Sequence, residues 1–96
     1  MARVVVAERA QANLRALIRT HALPASTRER VRAAISPLAE FPQLGPELGG
    51  RWSRLRFILG PWPWMLIVYH WDEASETVVV VTIQDARSAT AATGER

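Results

Sequence analysis

The stretch RFILGPWPWMLIVYHW, residues 56–71, sets an unbroken apolar run behind a proline–tryptophan repeat and closes it with tyrosine, histidine and tryptophan. Pro61 and Pro63 have no amide hydrogen to give to a ladder, so GPWP belongs in a connection between two strands, with Trp62 in the loop and Trp64 opening the next strand. From Met65 to Tyr69 both side-chain parities are apolar, the pattern of a central strand covered on both faces. DEASE supplies a turn after it, and TVVVVTIQ, residues 77–84, is the next β-branched run. Upstream, WSRLRFIL alternates: Leu55, Phe57 and Leu59 point one way, Arg54, Arg56 and Ile58 the other. That alternation predicts a half-buried strand with a basic outer face. The second half of the chain therefore reads as three antiparallel strands.

The first half has a helical period. RVVV, residues 3–6, is a short strand, after which Ala7, Ala10, Leu14, Leu17, Ile18 and His21 form one stripe of a helix over about residues 8–22. His21 falls in its last turn, where an imidazole suits a helix C-terminus. After Pro24, STRE offers a reciprocal capping box between Ser26 and Glu29, and Val31, Ala34, Ile35, Leu38 and Phe41 form the next apolar stripe. Pro37 removes an amide donor inside that stripe, so the helix must kink there or restart at Ser36. PQLGPELGG, residues 42–50, carries two prolines and three glycines and must turn. The expected architecture is α+β, in the order β-α-α-β-β-β, with a helix hairpin packed on a small, mainly antiparallel sheet. Leu14, Leu17, Ile35, Leu38, Leu55, Phe57 and Leu59 are expected to meet in its core. One domain spans residues 1–87; residues 88–96, which lack large apolar side chains, are expected to form a flexible tail.

At 96 residues the chain is long enough to bury roughly 60–65% of its unfolded surface in one core. It has no cysteine, which excludes disulfides and thiolate metal sites, and its two histidines, His21 and His70, are too far apart to pair on one helix. Glu8 and Arg9 cut the apolar N-terminus short of a signal segment or membrane span, so a reducing cytoplasm is the expected compartment and no membrane is expected as a partner. The formal charge is +3, and all twelve basic residues are arginine. An arginine bias suits phosphate or carboxylate recognition, and it also follows from a composition that substitutes arginine for lysine throughout. Only the positions of the arginines distinguish these.

In order and spacing, AISPLAEFPQLGPEL with its L-x-x-x-P-x-x-G turn, RLRFI, LIVYHW and VVVVTIQDAR resemble the ParE/RelE superfamily of small bacterial toxins from type II toxin–antitoxin modules. The resemblance implies a growth-inhibiting toxin of a plasmid-stabilising kind of module, working without a cofactor. Its implied partner is a cognate antitoxin, in a toxin–antitoxin hetero-oligomer. RelE-like members of the superfamily cut messenger RNA on the ribosome, and ParE-like members act on DNA gyrase. For cleavage, the resemblance assigns Arg54 and Arg56 to the basic strand, Arg87 to the arginine after the last strand, and His70 to the available imidazole. Leu66 stands where RelE-like enzymes carry a further arginine, and Asp85 where many members have histidine. The aliphatic LIVY is ParE-like. The leading expectation is thus a noncatalytic toxin binding a target such as gyrase; the alternatives are a ribosome-dependent ribonuclease and a degenerate member that only binds antitoxin. Target or antitoxin contacts are expected at Arg54, Arg56, Trp62, Trp64 and Arg87.

Overall fold

In a computed structural model, which describes residues 1–88 and 90–94, the elements follow the expected order. Strand β1 (Arg3–Val6) leads into helix α1 (Glu8–Thr20), then α2 (Thr27–Ile35), β2 (Arg56–Leu59), β3 (Met65–Asp72) and β4 (Thr77–Asp85). The four strands form one sheet in the order β1-β4-β3-β2, with β1 parallel to β4 and the other two pairs antiparallel.

Helix α1 ends in a Schellman turn. Leu23 N–H donates to Ile18 O, Ala22 N–H to Arg19 O, and Ala22 takes the left-handed conformation at φ 48°. This turn fixes His21 at the helix C-cap. The capping box before α2 does not form. Ser26 occupies the N-cap without a side-chain bond, and Thr27 instead donates twice to Pro24 O, through Oγ1 at 2.6 Å and its own N–H at 3.0 Å. At Pro37 the chain restarts as a 3-10 turn over Ser36–Ala39, in which proline sits at the first turn and loses no helical bond. That turn rotates Phe41 out of the stripe, leaving it 59% exposed rather than buried.

Strand β3 is the axis of the core: every residue from Met65 to Tyr69 is fully buried. Its two parities serve two clusters. Met65, Ile67 and Tyr69 pack under the helices with Ala10, Leu14, Val31, Ile35, Leu38, Val78, Val80 and Ile83. Leu66 and Val68 pack on the opposite face with Leu48, Ala91 and Ala92, edged by Trp52, Leu55 and Phe57. The expected facing of β2 is therefore reversed: Ile58 lies with the helices, while Leu55 and Phe57 lie on the far side and Leu59 is 51% exposed. The reversal has room because the far face is covered by the loop around Leu48 and by residues after β4, rather than by solvent. Leu17 is half-buried at the margin of the helix-side cluster, not at its centre.

A β-bulge shifts the β3–β4 register between Val68 and Tyr69, which face Thr82 and Val80. It carries the inward parity of β4 from Val78 and Val80 to Ile83. Asn13 of α1 serves the bulge, its Oδ1 accepting from Thr82 Oγ1 at 2.7 Å and from Ile83 N–H at 3.2 Å. Within the expected tail, two alanines pack against the sheet. Ala91 and Ala92 are each 1% exposed, and Ala92 N–H donates to Gln84 Oε1 at 2.8 Å. Ala89, Glu95 and Arg96 of that expected tail lie outside the described residues.

Candidate functional site

The expected site residues separate into two places. Arg54 lies before β2 in a left-handed conformation, φ 74°, and is exposed. It does not share a strand face with Arg56, because the two-residue strand geometry that would align them begins only at Arg56. Arg56 is occupied: Nη1 donates to Gly45 O at 2.7 Å and Nη2 to Glu47 Oε1 at 3.1 Å. It clamps the loop whose Gly45 N–H donates at 2.9 Å to the buried hydroxyl of Tyr69, the residue opposite Arg56 across the strands. Burial pushes the Tyr69 hydroxyl above its ordinary pKa, against the opposing effects of the Gly45 N–H and Arg56. Gly45 is required here, since a Cβ would collide with the Phe57 carbonyl. These contacts are structural.

His70 follows Tyr69 on β3 and so faces away from the helices. Arg87 follows β4, beyond Asp85, which is the partner of Met65. Met65 and Tyr69, the partner of Arg56, are four residue steps apart on β3, roughly 13 Å at strand rise. Arg56 and Arg87 are thus engaged with separate partners toward opposite ends of β3, and His70 takes the other face of the sheet from Tyr69.

Arg87, Trp62 and Trp64 do come together, with three residues that sequence reasoning gave no functional part: His21, Arg30 and Asp85. Arg87 grips Asp85 through Nε at 2.9 Å and Nη2 at 2.8 Å, and its backbone N–H adds a third bond at 2.9 Å. These bonds hold the Asp85 carboxyl down at a pKa of about 2. The Arg87 guanidinium also lies 4.9 Å from the Trp64 ring centroid, and the His21 ring 4.7 Å from it at 43°. His21 Nε2 stands 3.6 Å from Asp85 Oδ2. On the other side, Trp62 is 6.4 Å from Trp64, and Arg30 of α2 caps Trp62 at 5.7 Å. The tryptophans are half-buried, each with a guanidinium group over its ring. A sequence signal for Asp85 existed in the D-x-R spacing, which lets a strand-end carboxylate meet an arginine two residues on; none existed for His21, which the Schellman turn brings across.

The cluster sets two arginines, a histidine and a carboxylate around two indole rings. Arg87 has 60% of its side chain accessible, and the one carboxylate of the cluster is neutralised by that arginine. Among the described residues, no group of three or more histidine, cysteine, aspartate or glutamate side chains could hold a metal ion. No helix of the described residues is long and apolar enough to cross a membrane.

The fold, a helix hairpin over a four-stranded mixed sheet, is shared with several solved structures. It matches the toxin of the intact E. coli RelBE toxin–antitoxin complex, with TM-score 0.68 and 18% identity over 92% of this chain and 100% of that one. The isolated E. coli RelE toxin gives TM-score 0.67 and 17% identity, covering 94% of this chain and 89% of that one. A metal-bound toxin from Helicobacter pylori gives TM-score 0.65 and 18% identity, covering 88% and 94%. No curated protein sequence matches the chain. The family model described as ParE toxin of type II toxin–antitoxin system, parDE, matches residues 4–89, and the chain belongs to that family.

Proposed function

We propose that this ParE-family toxin arrests growth by binding DNA gyrase, without itself making or breaking a covalent bond, and that a cognate antitoxin neutralises it. The dispersal of the cleavage candidates carries this reading. Cutting RNA through its 2′-hydroxyl needs a base, an acid and cations around one phosphate. Here Arg56 is tied to Gly45 and Glu47, Arg87 to Asp85, and His70 faces away from the helices. The exposed Arg87 and the tryptophans beside it supply a contact surface for a protein target, since arginine and tryptophan dominate such contacts. Action on gyrase takes place in the cytoplasm.

The antitoxin-binding surface in this reading is the cleft between the helices and β1. Val6, Leu14, Val31, Ile35 and Ile83 line a cavity of about 260 Å³ there, with Arg28 and Arg32 at its rim. Strand β1 is an edge of the sheet; Ala2 N–H is tied to Ala39 O and Val6 O accepts from Gln11 Nε2, which leaves the middle of the edge, at Val4, for an added strand. An acidic, partly disordered antitoxin segment that folds onto this surface satisfies both features.

The test is induction of the chain without antitoxin, followed by growth, plasmid supercoiling and messenger RNA ends. Growth arrest with altered supercoiling and unchanged RNA ends is expected. Codon-positioned RNA ends would reassign the chain to ribosome-dependent cleavage, and unimpaired growth would leave it an antitoxin-binding protein without toxicity.

A further inference from the structure

The geometry points to a second docking surface, at the end of the sheet remote from the tryptophan–arginine cluster, that takes an apolar protein segment carrying an arginine or lysine. The surface is a groove of about 520 Å³ lined by Glu40, Phe41, Pro42, Leu44, Trp71 and Glu73. Trp71 stands seven residues along the chain from Trp64, roughly 23 Å at strand rise, so the two surfaces are separate.

Three observations carry the inference. First, the groove holds exposed apolar area that the fold does not use: Phe41 is 59% and Leu44 56% exposed, and both flank the half-buried Trp71. Contiguous exposed aromatic and aliphatic side chains on a small domain mark a contact site. Second, the segment that presents them is rigidly held rather than loosely draped. Phe41 N–H donates to Pro37 O at 2.9 Å, Leu44 N–H to Phe41 O at 3.0 Å, and Gly45 is fastened to both Tyr69 and Arg56. Third, the groove is acidic on a chain of net charge +3. Glu40 and Glu73 both line it, and neither carboxylate has a hydrogen bond or ion pair among the described residues. Two unpaired carboxylates beside an indole and a phenyl ring favour a guanidinium or ammonium group, which gains ion pairing and cation–π attraction together. An acidic segment is repelled by the same groove. This surface and the arginine-rimmed cleft beside β1 therefore select partners of opposite charge. The inference rests on the reading that the chain works by binding a protein target, and makes this groove a place where that target is held.

The test has two arms. The wild-type chain is titrated with the peptide acetyl-Leu-Arg-Leu-Arg-amide and with its counterpart acetyl-Leu-Glu-Leu-Glu-amide, following the side-chain NMR signals of Phe41, Leu44 and Trp71. Saturable shifts with the arginine peptide alone, weakened at least several-fold by raising salt from 50 to 500 mM, are expected. Equal or absent shifts with the two peptides would overturn the inference, whatever the chain does to cells. In the second arm, Glu40→Arg combined with Glu73→Arg is introduced into the full chain and its antitoxin affinity and growth inhibition are measured. Loss of growth inhibition at least ten-fold in inducer dose, with antitoxin affinity unchanged, supports the groove as a target contact. Undiminished inhibition by this variant would overturn it. A concentration-dependent dimer of the wild type that the double variant abolishes would assign the groove to a second copy and overturn it also. If the wild type fails to inhibit growth, the gyrase reading falls while the peptide arm still decides the groove.

Discussion

Arg87 closes Nε and Nη2 onto the two carboxylate oxygens of Asp85, at 2.9 and 2.8 Å, and in doing so covers the Trp64 ring. The pair joins the end of β4 to the loop before β3, and it neutralises the one carboxylate of the cluster. Bidentate geometry between two residues only two apart leaves Arg87 little freedom to reach a phosphate.

A pH dependence follows from this pair. Asp85 has a folded pKa of about 2 against an ordinary value of 3.8, so ionisation is favoured in the folded state. Its contribution is present above about pH 4 and is lost as pH falls from there through about 2. Arg87→Ala should move the Asp85 pKa upward toward 3.8 and flatten this acid limb, as read by carboxyl NMR titration and by urea midpoints between pH 5 and 2. An unchanged Asp85 pKa in the variant would contradict the assignment.

Tyr69→Phe tests the clamp on the 42–48 loop. It removes the hydroxyl that accepts from Gly45 N–H and leaves that donor buried without a partner. The expected loss is about 1–3 kcal/mol in unfolding free energy by urea denaturation. Because Arg56 still holds Gly45 O, the loop should remain in place, and the amide of Gly45 should exchange faster with solvent while its neighbours change little.

Leu38→Ala and Leu17→Ala should separate clearly. Leu38 is fully buried, so its truncation should cost about 2–5 kcal/mol, whereas Leu17 lies at the cluster margin and should cost less than about 2 kcal/mol. Equal costs in denaturant unfolding would mean that the helix hairpin sits differently on the sheet.

Ala22→Gly should stabilise the chain by up to about 1 kcal/mol. Ala22 occupies the left-handed position of the Schellman turn at φ 48°, which costs a Cβ-bearing residue about 1–2 kcal/mol and costs glycine nothing beyond its greater chain entropy. A rise of a few degrees in the thermal midpoint, with antitoxin binding unchanged, is the expected reading.

Period and punctuation made the element order legible. The change from helical to two-residue spacing after PQLGPELGG, and the prolines of GPWP, place every helix and strand within a few residues of its observed position. What could not be read is which way the strands face. A strand with both parities apolar, as in LIVY, gives no sign of which parity meets the helices, and β2 inherits that ambiguity; its Phe57, with the preceding Leu55, went to the far cluster. The bulge in VVVVTI is equally silent, because every residue around it is β-branched. Within the candidate site, Trp62, Trp64 and Arg87 were named from the sequence only as candidates beside Arg54 and Arg56, with no sign that these three would come together. His21 and Arg30 were not, because they arrive from the helices through tertiary contact alone, at 4.7 Å from Trp64 and 5.7 Å from Trp62.

The central claim is that this toxin acts by binding gyrase rather than by cleaving RNA, and its most direct measurement is gyrase supercoiling of relaxed plasmid in the presence of the purified chain. The account predicts that the chain inhibits supercoiling in a dose-dependent way, that Arg87→Ala weakens this inhibition, and that cognate antitoxin reverses it. Full supercoiling at every toxin concentration, under conditions where the same preparation arrests growth on induction, would contradict it.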